Sequence, residues 1–199
     1  MFWLGGLVSL CALACPGVAQ ALSLNLVTTD NEVKPGEAFQ VDLQISDLGQ
    51  LAAPSLGAFD INLEFDATAL TLKDIILGDQ LNLGGFGILS GSTPTATGVN
   101  VFVNSLDFPG VLDSTQADRF TLATFSFIPQ QAGLVNFDLA VNDLGDSLGN
   151  PLFPTTLDGT SVLIAGAPPP TPVPEPGLPI FLGAIALVAR RVHQRRLMN

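Results

Sequence analysis

The amino-acid sequence predicts an all-β protein: a two-sheet antiparallel β-sandwich flanked by an N-terminal signal peptide and a C-terminal single transmembrane helix. Three observations support this prediction. Hydrophobic residues alternate with polar ones through the middle of the chain, which gives a strand one face to bury and one to hydrate. Glycine and proline turns separate these segments. The long apolar runs are confined to the two ends, at residues 4–14 and 177–189.

Residues 1–21 form the first element, a predicted signal peptide. An apolar stretch precedes Ala19 and Ala21, which give the small-x-small pattern that a signal peptidase accepts, so we expect cleavage after Ala21. No lysine or arginine precedes the stretch. Both cysteines of the chain, Cys11 and Cys15, lie in this leader, and lipid acylation of Cys15 is the alternative processing. The exported domain therefore has no cysteine for a disulfide or for thiolate chemistry.

Eight segments of the middle region are strand candidates, four of them clear and four weak. The clear segments carry alternating apolar residues at 39–45, 59–65, 99–103 and 135–141. The weaker candidates are residues 22–28, 69–76, 120–128 and 160–164. Eight or nine short strands with turns between them are typical of a sandwich. No sustained helical period occurs before the C-terminal segment.

Two segments depart from simple alternation. In residues 120–128 the large residues change parity after Leu122, which predicts a bulge or a strand that changes sheets. Residues 78–98 are rich in glycine, serine and threonine, and we expect a flexible loop between strands there. A ligand-contacting surface is the alternative interpretation of this loop.

The predicted domain is strongly acidic. Residues 22–165 include seventeen Asp and Glu residues and only three basic ones. We therefore expect no nucleic-acid partner, because phosphate binding needs clustered lysine and arginine. The single histidine, His193, lies beyond the domain, so a Ser-His-Asp triad or a His-ligated zinc cannot form within it.

Carboxylate chemistry remains open on composition alone. Asp60, Glu64 and Asp66 fall on one predicted strand face, where solvated charge is the favoured interpretation and a glycoside hydrolase pair is the alternative. We expect no enzyme activity and no required cofactor. Asp143 and Asp146 are weak calcium candidates, because their loop offers several oxygen ligands. The favoured alternative is an Asx-rich loop whose side chains bond their own backbone.

Two segments of the middle region resemble cohesin-like domains. Residues 33–43, Val-Lys-Pro-Gly-Glu-Ala-Phe-Gln-Val-Asp-Leu, look like the opening of such domains. Residues 59–70, Phe-Asp-Ile-Asn-Leu-Glu-Phe-Asp-Ala-Thr-Ala-Leu, look like the hairpin that follows. The resemblance implies a nine-stranded jelly-roll sandwich, related in fold to bacterial carbohydrate-binding modules, that binds dockerins or other surface ligands. We therefore assign residues 22–165 as a cohesin-like domain.

A proline-rich linker at residues 166–172 precedes the last segment, residues 173–199, which resembles the PEP-CTERM sorting signal of Gram-negative bacteria. Three parts carry the resemblance: a Pro-Glu-Pro motif, an apolar run of thirteen residues and a terminal arginine cluster. The motif consists of Val173, Pro174, Glu175 and Pro176. The cluster consists of Arg190, Arg191, Arg195 and Arg196.

The sorting resemblance implies that an integral-membrane exosortase recognises the tail and delivers the protein to the outer surface or extracellular matrix. The apolar run would be about 20 Å long as a helix, against a hydrocarbon core of about 30 Å, which favours a transient inner-membrane anchor. The arginines indicate the cytoplasmic side. A buried helix with a basic tail and an uncleaved tail anchor are the alternatives.

Together these features predict an exported, non-enzymatic protein of the cell surface or extracellular matrix. Its expected partners are an exosortase-type processing enzyme, the membrane through the C-terminal helix, and an extracellular polysaccharide or surface protein. The cohesin-like module would serve adhesion, scaffolding or association with exopolysaccharide in a biofilm. A plain extracellular carbohydrate-binding module is the alternative function.

Overall fold

Two β-sheets account for most of residues 21–166, which are the residues that this computed structural model describes. Eleven strands and one short helix lie within this range. The strands are β1 Ser23–Val27, β2 Glu32–Val33, β3 Phe39–Ser46, β4 Leu56–Glu64, β5 Leu70–Leu77, β6 Ile88–Pro94, β7 Gly98–Ser105, β8 Phe120–Pro129, β9 Gly133–Asp146, β10 Thr156–Asp158 and β11 Thr160–Ile164. The helix, α1, is Pro109–Thr115.

The strands divide into a five-stranded and a six-stranded sheet, which form the two layers of the predicted sandwich. The first sheet has the order β10-β1-β3-β8-β5, and the second has the order β2-β11-β9-β4-β7-β6. Neighbouring strands are antiparallel except for two pairs, β1 with β10 and β2 with β11, which are parallel. The prediction of an all-antiparallel sandwich is therefore wrong at two edge strands, β10 and β2, and correct for the other strand pairs.

All eight predicted strands are present, and the alternating residues of the clear ones face the core. Along β3 the side chains of Phe39, Val41, Leu43 and Ile45 are buried. The same inward alternation holds for β4, β7 and the first half of β9. The period of two in the sequence thus records which side chains lie between the sheets.

Four phenylalanines join the two sheets at the centre of the core. Phe39 of β3 and Phe127 of β8 belong to the first sheet, and their rings stack with centroids 5.7 Å apart. Phe137 of β9 belongs to the second sheet and lies 5.1 Å from Phe127. Phe65, which follows β4, completes the cluster at 4.9 Å from Phe127. Each such ring pair adds about 0.5–1.5 kcal/mol beyond its burial.

The predicted irregularity in residues 120–128 is a β-bulge in β8. Leu43 of β3 lies opposite Ala123, whereas the next residue, Gln44, lies opposite Thr121. The extra residue is Leu122, and both it and Ala123 are buried. The parity change therefore lets the two halves of β8 bury their large side chains on the same face.

The prediction of a flexible loop at residues 78–98 is wrong for part of this segment, because residues 88–94 pair with β7. It includes strand β6, which forms an edge of the second sheet. The turn before β6 is held by the buried Asp107, whose carboxylate accepts hydrogen bonds from the amides of Gly84 and Phe86 at 2.8 and 3.1 Å. Glycine and serine suggested a loop there, but both are compatible with an exposed edge strand.

The sequence shows no sustained helical period before the tail, and the short helix α1, which follows the turn at Phe108, was not predicted. Pro109 occupies the start of this seven-residue helix, where its missing N–H costs nothing. Gln116 follows the helix and lies beside Leu56, the first residue of β4, where its side chain is only 1% exposed. Gln116 Oε1 accepts from the Leu56 amide at 2.6 Å, and its Nε2 donates to the carbonyls of Leu56 and Gln80 at 2.9 and 3.0 Å. This side chain thus substitutes for a strand partner.

Replacing Gln116 with alanine should lower the free energy of unfolding by about 2–4 kcal/mol, because it leaves the buried N–H and C=O of Leu56 without partners. Urea denaturation followed by circular dichroism measures this, since the domain contains no tryptophan. The matched control is Gln130→Ala, which removes an exposed side chain with one bond of 3.3 Å and should cost less than about 0.5 kcal/mol. Equal losses in the two variants would contradict the assignment.

Candidate protein-binding face

Four polar side chains form a hydrogen-bonded cluster on the outer face of the second sheet. Asp60 and Asn62 lie on β4, Asn100 on β7 and Asn142 on β9. Asp60 Oδ1 accepts from Nδ2 of Asn100 at 2.5 Å and from Nδ2 of Asn142 at 2.9 Å. Asn62 Oδ1 accepts from the same two amides at 2.9 and 3.2 Å. We call these four residues the polar cluster, and each of them orients the others.

The local register of three strands brings the cluster together. Asn62 lies directly opposite Asn100 across β4 and β7. Between β4 and β9 the register shifts, because Asp60 pairs with Asp143 while the next residue, Ile61, pairs with Val141. Asn142 is the extra residue of this bulge, and the bulge directs it towards β4. Bulges commonly re-aim a side chain in this way.

An apolar patch adjoins the polar cluster along β7 and β6. Phe102 lies on β7, opposite Asp60 of β4 on one side and Gly91 of β6 on the other, and its ring packs over Gly91. A Cβ atom at Gly91 would approach Phe102 Cε1 to 2.7 Å, so glycine is required for this ring position. Leu89, which is 61% exposed, lies two residues away on the same side of β6. The face therefore combines fixed hydrogen-bonding groups with apolar area.

The charge on this face is entirely negative. Strands β4, β6, β7 and β9 contain no lysine or arginine. Glu64, Asp138 and Asp143 are exposed around the polar cluster and add to the charge of Asp60. Clustered charge of one sign attracts a partner of the opposite sign and accelerates its association. The face is thus suited to a partner that presents lysine or arginine beside hydrogen-bonding groups.

The carboxylates that the sequence placed on one strand face do not form a group. Asp60 belongs to the polar cluster, Glu64 ends β4, and Asp66 lies beyond the strand. Asp66 Oδ1 accepts from the hydroxyl and amide of Thr68 at 2.7 and 2.8 Å. These bonds hold the pKa of Asp66 below its usual range. A glycosidase acid requires the opposite shift.

The two calcium candidates occupy different surroundings. Asp143 is exposed on β9 opposite Asp60. Asp146 Oδ1 accepts from the amides of Leu148 and Asn150 at 2.9 and 2.8 Å, and its Oδ2 accepts from the Asn150 side chain at 2.9 Å. Asp146 therefore follows the Asx-turn alternative, with its oxygens directed to its own loop. Within residues 21–166, no group of three or more His, Cys, Asp or Glu side chains could hold a metal ion.

Two exposed aromatic rings lie where the turn before β6 meets α1. Phe86 and Phe108 are 57% and 64% exposed, and their rings meet edge to face with centroids 5.0 Å apart. Asp107 fixes the backbone beneath Phe86. We call this the phenylalanine pair. The ordered turn before β6 positions Phe86, whereas only a flexible loop was predicted at these residues.

The sorting residues lie outside the described range. This holds for Ala19 and for the Pro-Glu-Pro motif and arginine cluster, whereas Ala21 is the first residue described. Residues 21–166 contain no helix with the length and hydrophobicity of a membrane span. The signal peptide, the sorting motif and the C-terminal helix therefore remain predictions.

The polar cluster was not predicted from the sequence. Asp60 and Asn62 were correctly assigned to the hydrated side of a strand, but their partners Asn100 and Asn142 come from distant segments. Outward asparagines in predicted strands are a usable signal, because asparagine is disfavoured there. The bulge that adds Asn142 leaves no such signal in the sequence.

Several solved structures that are similar to this domain are cohesin modules. A type I cohesin in a cohesin–dockerin complex from Clostridium thermocellum is 11% identical, covers 72% of this chain and 99% of its own, and gives a TM-score of 0.54. A type I cohesin from Pseudobacteroides cellulosolvens is 18% identical over 75% and 96% of the two chains, with a TM-score of 0.54. A non-cellulosomal cohesin from the archaeon Archaeoglobus fulgidus is 16% identical over 72% and 92%, with a TM-score of 0.53.

These similarities show that the described domain is cohesin-like in fold, as the sequence predicted. No protein-family profile matches the chain. No curated protein matches it either. At such low identities the likeness concerns the fold alone, so a function for this chain has to be argued from its own surface.

The turn at Asp146 should make the domain sensitive to acid. Burial raises the pKa of Asp146, but hydrogen bonds from the side chain and amide of Asn150 and from the amides of Leu148 and Gly149 outweigh it, so the folded pKa is lowered. The carboxylate then stabilises the fold above the unfolded pKa of 3.8, and this contribution is lost as the pH falls through the folded pKa.

Asp146→Asn should therefore be less stable than the parent at about pH 6, with a difference that shrinks below about pH 4. Thermal unfolding across this range measures the difference. Asp143→Asn serves as the control, because it removes an exposed carboxylate from the same strand outside the turn. A constant deficit of Asp146→Asn at every pH would contradict the role of its charge.

Proposed function

We propose that this chain is an exported, non-enzymatic surface or matrix protein, and that its cohesin-like domain binds another surface protein. The observation that carries the proposal is the ordered, wholly acidic polar face on a cohesin-like fold. One of the similar structures is a cohesin–dockerin complex, so a protein of similar fold is known to hold a protein partner. We infer a scaffolding or adhesion role of the same kind for this chain.

The geometry of the polar cluster favours binding over a merely solvated surface. Asp60, Asn62 and Asn100 are half-buried and bonded to one another, so little side-chain freedom remains to be lost when a partner docks. Such preorganisation lowers the entropic cost of association. Phe102 supplies adjoining apolar area, and aromatic residues are enriched at the centre of interfaces.

A catalytic role has less support from the same residues. A glycosidase needs one carboxyl group with a raised pKa beside a second carboxylate. Within residues 21–166, the two carboxyl groups with a clear shift, Asp66 and Asp146, both have a lowered pKa. Each is bonded to its own turn rather than directed to a second carboxylate. These observations favour a binding module.

Delivery to the surface is the second part of the proposal, and it rests on the terminal segments. We infer that a signal peptidase cleaves after Ala21 and that an exosortase-type enzyme recognises residues 173–176. The short apolar run then serves as a transient anchor, with the arginine cluster in the cytoplasm. A displayed domain of this kind could associate with other surface proteins or with exopolysaccharide.

Replacing Arg190, Arg191, Arg195 and Arg196 with glutamine should block surface delivery while leaving the domain folded. Each charge near an anionic leaflet contributes about 1 kcal/mol, and the apolar run is too short to define its own position. Cell fractionation and surface labelling measure the effect.

A matched control replaces Lys34, Lys73 and Arg119, which all lie in the folded domain, with glutamine. This variant removes positive charge without altering the tail and should be delivered like the parent. Normal delivery of the tail variant would leave the Pro-Glu-Pro motif as the sole sorting feature.

The binding face is tested with Asn142→Arg, which places a long cation in the centre of the polar cluster. We expect partner affinity to fall at least tenfold, because the added cation repels a basic partner and disrupts the bonds within the polar cluster. The partner is first captured from the host's outer envelope by cross-linking, identified, purified and titrated by calorimetry. Asn31→Arg, an exposed asparagine outside the face, is the control and should bind like the parent. Equal affinities for both variants would exclude the face.

A carbohydrate-binding function is the second candidate, and the phenylalanine pair is the observation that favours it. Exposed rings on a rigid turn are able to stack against sugar faces. The contact between Phe86 and Phe108 covers part of the ring surface, and the rest is open to a ligand. A glycan array with the parent and Phe108→Ala separates the candidates. Glycan retention that is lost in Phe108→Ala and kept in Asn142→Arg would favour carbohydrate as the ligand.

A further inference from the structure

Strand β6 is an edge strand whose only protective feature is a proline at its last residue, Pro94. Of the other three sheet edges in the described domain, β10 and β2 contain only three and two residues. The remaining edge, β5, is interrupted by a bulge at Lys73 and carries two charges. β6 pairs with β7 over seven consecutive residues in unbroken register and contains no charge. Charges, prolines, bulges and shortness are the usual means of preventing edge-to-edge pairing, and six of the seven residues of β6 offer none of them.

The free backbone groups of β6 can be assigned from the hydrogen bonds at its two ends. Leu106 N donates to the Gly87 carbonyl, and Thr95 N donates to the Gly98 carbonyl, both at 3.0 Å. In this register the odd-numbered residues from 87 to 95 bond to β7. The even-numbered residues, Ile88, Ser90 and Ser92, therefore direct N–H and C=O groups away from the sheet. Pro94 falls on the same free side, where its missing N–H breaks no ladder bond.

The sequence of β6 is self-complementary about its centre. Ser90-Gly91-Ser92 reads the same in both directions, and Gly91 is the middle residue of the strand. An antiparallel pair of two such strands places Gly91 opposite Gly91 on a two-fold axis and Ser90 opposite Ser92 of the second copy. The free N–H and C=O groups of both serines then bond across the pair. The N–H of Ile88 donates to the carbonyl of Pro94 of the second copy, so the proline still accepts a hydrogen bond across the pair.

Phe102 gives this pairing a packing contribution. Its ring lies over Gly91, on the strand that forms the edge. In the proposed pair the two glycines form a non-hydrogen-bonded pair, whose Cα atoms are about 4.5 Å apart. Rings lying over two glycines at that distance are close enough to contact each other. A second copy would therefore bury both phenylalanine rings, which are half-exposed in the single chain.

The charge distribution selects the same edge. Strands β6 and β7 contain no charged residue, although the domain carries seventeen acidic and three basic side chains. Two copies that meet at any acidic surface would repel each other strongly, whereas at β6 the charges nearest to the contact lie beyond β7. Salt screens such separated charges over about 8 Å at physiological ionic strength. Association through this edge should therefore strengthen as salt rises.

From these observations we infer that β6 is a homotypic docking edge, at which a second copy of this chain pairs antiparallel about Gly91. The two six-stranded sheets then become one continuous sheet. This inference goes beyond the proposed function, since it concerns self-association rather than the partner of the polar cluster. Failure of partner binding in Asn142→Arg would leave it unaffected.

Disulfide trapping tests the register directly. The full chain is prepared with Cys11→Ser and Cys15→Ser and then divided into two preparations of different tag size, one with Ser90→Cys and one with Ser92→Cys. Opposite residues of an antiparallel hydrogen-bonded pair have Cα atoms about 5.5 Å apart, which suits a disulfide. Diagonal residues are about 7–8 Å apart and do not suit one. Mixing should therefore give mixed dimers in severalfold excess over either self-linked dimer.

Sedimentation velocity of the full chain in a non-ionic detergent provides the second measurement. The parent should associate more strongly with rising concentration and rising salt, and Ser92→Lys should weaken association at least tenfold. Thr71→Lys, which adds the same charge at an exposed position on the other sheet's edge β5, should behave like the parent.

Three results would overturn the inference. The first is a chain that stays monomeric at every concentration, which leaves the edge to a different partner. The second is self-linked dimers as abundant as mixed ones, which excludes the register. The third is association that persists in Ser92→Lys, which places the contact elsewhere in the chain.

Discussion

The contact between the two sheets at four phenylalanines is the interaction on which the rest of the domain depends. No cysteine is available for a disulfide after residue 15, so the sheets are held by their buried side chains alone. Phe39, Phe127 and Phe137 are at most 2% exposed. Because side chains alternate along a strand, turning Phe59 and Ile61 inward also fixes Asp60 and Asn62 outward. The aromatic core and the polar cluster are therefore two sides of one register.

The pairing of the two ends of the domain adds a second constraint. β1 pairs in parallel with β10 in the first sheet, and β2 pairs in parallel with β11 in the second. The N-terminal strands β1 and β2 thus lie in different sheets, and the C-terminal strands β10 and β11 pair with them one in each sheet. Both parallel pairs join segments that are far apart in sequence, and the entropic cost of closing such a loop is smaller once the interior strands hold its ends together. We expect these outer strands to be the last part of the domain to fold.

The sequence predicts those parts of the fold that depend on one segment at a time. The ladder from Phe39 to Ile45 and the parity change after Leu122 follow from local alternation, and both are confirmed. β6 was missed because glycine and serine serve turns and edges alike. α1 is too short to show a helical period. The meeting of Asp60 with Asn142 depends on a bulge between segments 82 residues apart, which no local pattern contains.

The charge pattern connects the candidate partner face with the inferred pairing edge. Acidic residues surround Asp60 on the inner strands β4 and β9, while β7 and β6 are neutral towards the edge. An antiparallel pair about Gly91 has its two-fold axis perpendicular to the sheet, so the outer faces of both copies lie on the same side. Two polar clusters would then face one direction. A partner with two basic sites of matching separation would bind such a pair by avidity, because its second contact is intramolecular. Pairing at the neutral edge would thereby determine how many acidic faces are presented. The charge of those faces would determine which partner they attract.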